Sequence, residues 1–207
     1  MNTICAIDTE TTGLDLQNHI VEIAIVPTTV INKQFVVDEK KRPFSVLVNP
    51  GELELHNGSE ALAFNKIGRD TIVKDGIKTG ELYPMIKGWM MANGISKITP
   101  LAQNWAFDSK MIEKTFTREK MEKIIHHRAH DTLRVAQYWN SMFEIQTGKP
   151  LFKSTSLTEL AKFFSISNDG AHRAEADCRM TIKVYNELLN LIKNGHVPFN
   201  EIYKAPY

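Results

Sequence analysis

Two acids lie two residues apart near the start of the chain, in the run Asp8-Thr9-Glu10-Thr11-Thr12-Gly13. They follow a short apolar segment, Ile4–Ile7, which is typical of a buried strand. Side chains two apart on a strand point to the same face, so Asp8 and Glu10 should project together. At the end of a buried strand, the two carboxylates would lose hydration and repel each other. A divalent cation such as magnesium or manganese would offset both costs. The pair also fits a merely solvated strand end, because three-residue motifs recur by chance.

Two further acids and a histidine lie at predicted helix starts. Asp108 follows a predicted strand, Ile98–Ala102, and taken alone it fits a helix N-cap. Asp177 lies early in the last long helix, where an acid also complements the helix dipole. On one continuous helix, His172 and Asp177 would lie about 140° apart, so we place His172 in the preceding loop with Gly170. By itself, that histidine fits a surface residue as well as a catalytic base.

The apolar pattern along the chain predicts strands first and then alternating helices and strands. Ile20–Val26 and Phe44–Val48 are β-branched or aromatic and predict the second and third strands of an antiparallel meander. Ile98–Ala102 predicts the fourth strand. This order indicates an α/β fold with a mixed sheet flanked by helices. Helical spacing of apolar residues predicts helices around Leu82–Met90 and over Ser109–Phe116, 132–146, Leu157–Phe164 and Ala174–Lys193, the last closed by Gly195.

Bulk composition narrows the class of protein only slightly. The 207 residues include 25 basic and 24 acidic side chains, and this balance neither supports nor excludes a nucleic-acid substrate, since a local basic face can exist within it. No apolar run approaches the roughly 20 residues of a membrane helix, and no basic segment opens the chain, so we expect neither a membrane span nor a signal peptide. Cys5 and Cys178 lie in apolar settings, which predicts buried free thiols in a reducing compartment, the cytoplasm.

Three segments, taken together and in order, resemble the DnaQ-like (DEDDh) exonucleases. They are Asp8-Thr9-Glu10-Thr11-Thr12-Gly13, then Asn104 to Phe107-Asp108, then His172 to Asp177, and the resemblance spans roughly residues 3–190. It implies an RNase H-like fold whose mixed five-stranded sheet has an antiparallel meander of strands 1–3 followed by parallel strands. It also implies an exonuclease domain over residues 1–195, followed by an irregular tail over 196–207.

The resemblance further implies roles for the motif residues. Asp8, Glu10, Asp108 and Asp177 would hold two magnesium or manganese ions. His172 would deprotonate the attacking water, and the reaction would release nucleoside 5′-monophosphates from the 3′ end of single-stranded DNA. The residues expected to bind the terminal nucleotide are Thr11, Thr12, Gly13, Leu14, Asn104 and Phe107.

Two positions depart from the family pattern, and they concern how the terminal nucleotide is held. Gln103 stands where the family commonly has histidine, and Trp105 follows the motif asparagine where a small residue is common. Trp105 fits either base stacking or core packing. Asp131 is predicted to cap the following helix near the site. Leu14, or an apolar residue near Ile67, is predicted to wedge against the last base.

Two other functions stay open at this point. An exoribonuclease would use the same fold and metals, and the contacts to the 2′-hydroxyl that distinguish RNA cannot be placed from sequence. A catalytically silent module that binds nucleic acid or a polymerase is the second alternative, although all five catalytic positions hold competent residues. The resemblance leaves room for a polymerase or another replication partner, and no membrane partner is expected.

Overall fold

The computed structural model describes residues 2–15 and 17–193. These residues form a mixed sheet of seven strands, two more than expected, because β2 carries the short β3 beside it and β4 pairs with the two-residue β5. The strands are β1 (Thr3–Thr11), β2 (Ile20–Ile31), β3 (Gln34–Val37), β4 (Phe44–Asn49), β5 (Ile77–Lys78), β6 (Ile98–Ala102) and β7 (His130–Asp131).

The sheet topology agrees with the predicted meander and parallel strands. The order across the sheet is β5-β4-β2-β1-β6-β7, with β3 paired to β2 outside this path. β1, β2 and β4 pair antiparallel, whereas β6 joins β1 and β7 joins β6 in parallel. The predicted mixed α/β architecture is therefore confirmed, with β1 at its centre.

Helices cover the sheet, and four of the five predicted helices begin where the sequence pattern placed them, although α6 was not predicted. The segment between β4 and β5, which was not assigned to helices, folds into three short ones. Residues 194–207, which include Gly195 and the expected tail, lie outside the described residues. None of the described helices is long and apolar enough to cross a membrane. The helices are α1 (Glu52–Asn57), α2 (Ser59–Phe64), α3 (Arg69–Asp75), α4 (Leu82–Ala92), α5 (Trp105–Phe116), α6 (Arg118–Ile124), α7 (Thr132–Thr147), α8 (Leu157–Phe163) and α9 (Ala174–Lys193).

The alternation of side chains along β1 decides which helix each residue meets. Cys5 and Ile7 pack in a core with residues of α4 and α5. Ala6 points the other way and packs in a second core with Ala174 and Cys178 of α9. Because side chains alternate with a period of two, the even-numbered acids that follow Ala6 share its face, toward α9. The strand therefore aims its acids at the helix that carries Asp177.

Both cysteines are free and buried, as the apolar settings predicted. Burial raises the pKa of the Cys5 thiol to about 12, and it raises that of Cys178 as well. A thiol with a raised pKa supplies little thiolate, which is the nucleophilic and metal-binding form. Cys5 and Cys178 therefore act as packing residues in the two cores.

Candidate active site

Three carboxylates converge where β1 meets the first turn of α9. One carboxylate oxygen from each of Asp8, Glu10 and Asp177 lies within 4.8 Å of the others. Across the described chain, this is the one group of at least three acidic, histidine or cysteine side chains that comes so close together. The structure thus brings Asp177 to the pair that strand periodicity had placed on one face.

The bonding of Asp177 shows how well this group suits a cation. Its Oδ2 accepts the backbone N–H of His172 at 3.2 Å. Its Oδ1 is buried and has no hydrogen-bond partner among the described residues. An unpartnered buried oxygen costs free energy, and a cation would supply the missing partner. Since every potential metal ligand in the group is a carboxylate oxygen, the group fits magnesium or manganese.

Asp108 approaches the same strand end from α5, which packs on the opposite face of the sheet. It lies inside the first turn of α5 and is not the N-cap, because the helix begins at Trp105, four residues earlier than predicted. The buried Asp108 carboxylate accepts a hydrogen bond from the Thr9 hydroxyl at 2.7 Å. It is outside the three-carboxylate group, yet its charge is the second-largest cause of the raised pKa of Asp8. Asp108 is therefore an electrostatic neighbour of the group.

Without a bound cation, the four acids hold their protons unusually strongly. Burial, and then repulsion by Asp108 and Asp177, raises the pKa of Asp8 well above its ordinary value. Burial and repulsion by Asp177 raise the pKa of Glu10 to about 7. Burial raises the pKa of Asp108 to about 7 despite the Thr9 hydrogen bond, and burial also raises that of Asp177. Because ionising these four carboxyl groups is unfavourable without a counter-charge, the site favours a bound cation.

Glu22 fixes the start of α9 beside this group, a role that the sequence did not reveal. It lies on β2 directly opposite Glu10 and is buried. Its carboxylate accepts hydrogen bonds from Arg173, at 2.8 Å from Nη2 and at 3.1 and 3.2 Å from Nε. It also accepts the backbone N–H of Ala174 at 3.1 Å, so a side chain from the sheet caps the helix. The partners of Glu22 became visible only in the fold.

His172 lies in the loop before α9, as predicted, and its ring contacts Phe64 of α2. The two ring centroids are 4.4 Å apart. His172 has a φ of 70°, a left-handed conformation that is uncommon for a residue with a side chain. This backbone turn lets the His172 N–H reach Asp177. The imidazole is thus held near the carboxylates by a neighbouring ring, while only its backbone bonds to Asp177.

The loop after β1 uses its threonines internally. The Thr11 hydroxyl donates to the Gly13 carbonyl at 2.6 Å, and the Thr12 hydroxyl accepts the N–H of His19 at 3.0 Å. Gly13 has a φ of 153°, and a Cβ there would come within 2.7 Å of the Asn18 side chain, so the turn requires glycine. The Thr11 and Thr12 side chains are buried, and their structural contribution is to shape the loop.

Three of the predicted nucleotide-binding residues line one cavity between the loop after β1 and the start of α5. Leu14, Asn104 and Phe107 border this cavity of about 330 Å³, together with Lys110. Leu14 is 85% exposed, so its apolar side chain is free to meet a ligand. Asn104 has left-handed φ and ψ angles and precedes the first turn of α5. The cavity joins the loop after β1 to the helix that carries Asp108.

The remaining predicted positions are explained by local contacts. Ile67 packs in a small buried core and cannot wedge against a base. The exposed apolar residue near it is Phe64, which is 65% exposed. The Gln103 side chain donates to the Thr155 carbonyl at 2.8 Å, so it connects parts of the fold. Asp131 caps α7 as predicted, since it accepts the backbone N–H groups of residues 133 and 134.

The sequence model of the RNase T exonuclease family matches residues 5–185. The chain belongs to this exonuclease family, whose members are nucleases that act on nucleic acids. No curated protein matches the sequence significantly.

Solved structures of exonuclease I share the fold. E. coli exonuclease I in complex with a dT13 oligonucleotide superposes with a TM-score of 0.67 at 16% identity, over 98% of this chain and 44% of that one. The zinc-bound E. coli exonuclease I–ssDNA complex gives the same score and identity, over 100% and 46%. Exonuclease I from Methylocaldum szegediense gives 0.65 at 17% identity, over 94% and 43%. The chain thus spans less than half the length of these proteins.

Proposed function

We propose that this protein is a metal-dependent 3′–5′ exonuclease that removes nucleoside 5′-monophosphates from single-stranded DNA. The observation that carries the proposal is the meeting of Asp8, Glu10 and Asp177 around a buried, unpartnered carboxylate oxygen. Such an arrangement is costly without a cation and suited to one of magnesium's class. Membership of the exonuclease family supplies the reaction class.

Two cations are proposed to share the four acids. Asp8, Glu10 and Asp177 would hold the first, because their oxygens already lie within 4.8 Å of one another. Asp108 would hold the second together with Asp8. After burial, the charge of Asp108 is the largest cause of the raised pKa of Asp8. Two bound divalent cations stabilise the attacking and leaving oxygens of a phosphodiester and lower the pKa of water.

His172 is proposed to take the proton from the attacking water. Histidine is the side chain that most often serves as a general base in catalysis. The loop position beside Phe64 keeps the ring close to the carboxylates without using the imidazole as a ligand. The Asp177 carboxylate bonds to the backbone N–H of His172 and not to its ring. The ring nitrogens of His172 are therefore free to face the substrate.

The cavity that Leu14, Asn104 and Phe107 border would receive the terminal nucleotide. Leu14 presents an apolar surface to the base, and Lys110 places a positive charge at the same cavity. The preference for a single strand is supported by the neighbours, since E. coli exonuclease I is seen with dT13 and with dA16 oligonucleotides. A free 3′ end is expected because the resemblance to the DnaQ-like exonucleases implies this polarity.

The test is digestion of single-stranded DNA, duplex DNA and RNA, each labelled at either end, with and without magnesium. We expect a 3′ label to leave at once as a mononucleotide and a 5′ label to remain on a ladder of shortened strands. Early loss of the 5′ label as a mononucleotide would reverse the proposed polarity. Faster digestion of RNA would reassign the substrate, and no release with any divalent cation would refute the catalytic proposal.

A further inference from the structure

A second and larger cavity lies on the other side of the start of α5. It has a volume of about 720 Å³ and is bordered by α5, α6, the segment 125–129 and the first turn of α7. Ala106 borders both this cavity and the smaller one that holds Leu14. The two cavities therefore share a wall residue in the first turn of α5, the turn that also carries Asp108.

Positive charge is concentrated on this edge of the protein. Residues 110–134 carry seven lysines and arginines against four acids, whereas the whole chain is nearly balanced at 25 against 24. In the cavity, Arg118 pairs with Glu122 and Arg134 lies 3.6 Å from Asp131. The guanidinium of the exposed Arg128 has no hydrogen bond or ion pair with any described residue, which leaves it available for an anion.

The cavity also offers flat rings of the kind on which nucleobases stack. Trp105 lines it and is only partly covered by the neighbouring core. His126 and His127 stack on each other, with ring centroids 4.3 Å apart and planes inclined by 28°. A bound strand would find aromatic faces and an unpaired guanidinium within one cavity.

A single carboxylate connects this cavity to the start of α5, the helix that carries Asp108. The two oxygens of Asp131 accept the backbone N–H groups of Asn104 and Trp105, each at 3.1 Å. Trp105 lies three residues before Asp108, a rise of about 4.5 Å along the helix axis. Trp105 and Asp108 therefore lie in the same first turn of α5.

We infer that the cavity lined by Trp105, the His126–His127 pair and Arg128 binds the single strand on the 5′ side of the nucleotide being removed. The inference rests on the proposed function, since it extends the path of the substrate beyond the terminal cavity. Arg128 contacts a phosphate, and the rings stack on bases without reading their identity. The site therefore takes DNA or RNA strands, provided that they are single and long enough to reach it.

The test compares a dinucleotide with a ten-nucleotide strand for wild type, Arg128→Ala and Trp105→Ala. The control is Arg42→Ala, which removes an exposed arginine beside β4 on the opposite edge of the sheet. Losing one phosphate contact should raise KM for the longer strand about fivefold at 0.1 M salt and much less near 1 M. Hydrolysis of the dinucleotide by Arg128→Ala, and of both substrates by the control, should be unchanged.

Binding measured in EDTA keeps this inference separate from the catalytic proposal. Fluorescence anisotropy of a labelled ten-nucleotide strand should show the same loss of affinity and a salt slope reduced by about 0.7 for Arg128→Ala. If wild type released no mononucleotide, the catalytic proposal would fail while this binding result still tested the cavity. Equal losses for the dinucleotide and the longer strand, tighter binding of a blunt duplex, or unchanged binding by both variants would overturn the inference.

Discussion

Replacing Glu10 with glutamine should stabilise the metal-free protein at alkaline pH. Burial and the charges of Asp177, Glu22 and Asp108 raise the pKa of Glu10 from 4.5 to about 7. Because the folded state prefers the protonated form, the unfolding free energy contributed by this group is complete below pH 4.5. It is lost as the pH rises toward 7. The pKa difference corresponds to about 3 kcal/mol once the carboxylate is ionised in both states.

This difference in unfolding free energy sets the size of the expected shift in melting temperature. For a domain of this length, about 3 kcal/mol corresponds to roughly 6–12 °C in melting temperature. In EDTA at pH 8.5, Glu10→Gln should therefore melt higher than wild type, and at pH 4.5 the difference should nearly vanish. Magnesium should raise the melting temperature of wild type more than that of the variant, because a bound cation stabilises the ionised site.

The assay is thermal melting followed by circular dichroism at both pH values, with and without magnesium. The matched control is Glu144→Gln on α7, which removes an exposed carboxylate far from the site and should not change the melting temperature. Equal melting of Glu10→Gln and wild type in EDTA at pH 8.5 would refute the reasoning. The acids would then not be repelling one another in the folded protein.

Three further variants test the positions around Glu10. Asp177→Asn should abolish nearly all metal-dependent release of mononucleotides while the protein stays folded, because the variant keeps the shape but loses the charge; retained activity in a magnesium titration would contradict this. His172→Ala should slow single-turnover hydrolysis by roughly 10²–10⁴-fold and leave metal affinity unchanged by calorimetry, whereas a large loss of affinity would make His172 a ligand. Glu22→Ala should lower the unfolding free energy in magnesium by about 1–3 kcal/mol, because Ala174 loses its cap and Arg173 its partner; denaturation by urea measures this, and an unchanged midpoint would contradict it.

Local sequence determined the parts of the site that depend on short-range geometry. Asp8 and Glu10 are two apart on a strand, so a period of two places them on one face whatever surrounds them. Asp131 precedes an apolar helical pattern, and an N-cap needs only its own helix, so this role was also predictable. The loop position of His172 followed from helical angles alone.

Tertiary packing decided which distant residues meet these local features. Asp177 reaches the strand acids because α9 packs on the Ala6 face, and Glu22 anchors that helix from the neighbouring strand. Nothing in the spacing of Glu22 and Arg173 indicates their pairing, since sequence patterns describe turns and faces, whereas this contact depends on how a helix lies across a sheet.

The same limit explains the features that sequence patterns missed. The helices of residues 52–75 are too short for a clear apolar period, yet they bring Phe64 against His172. Trp105 fitted both stacking and core packing from sequence, and in the fold it packs partly against the core and also borders the large cavity. Sequence alone thus determined which residues had the required chemistry, and the three-dimensional packing of separate elements determined which of them act together.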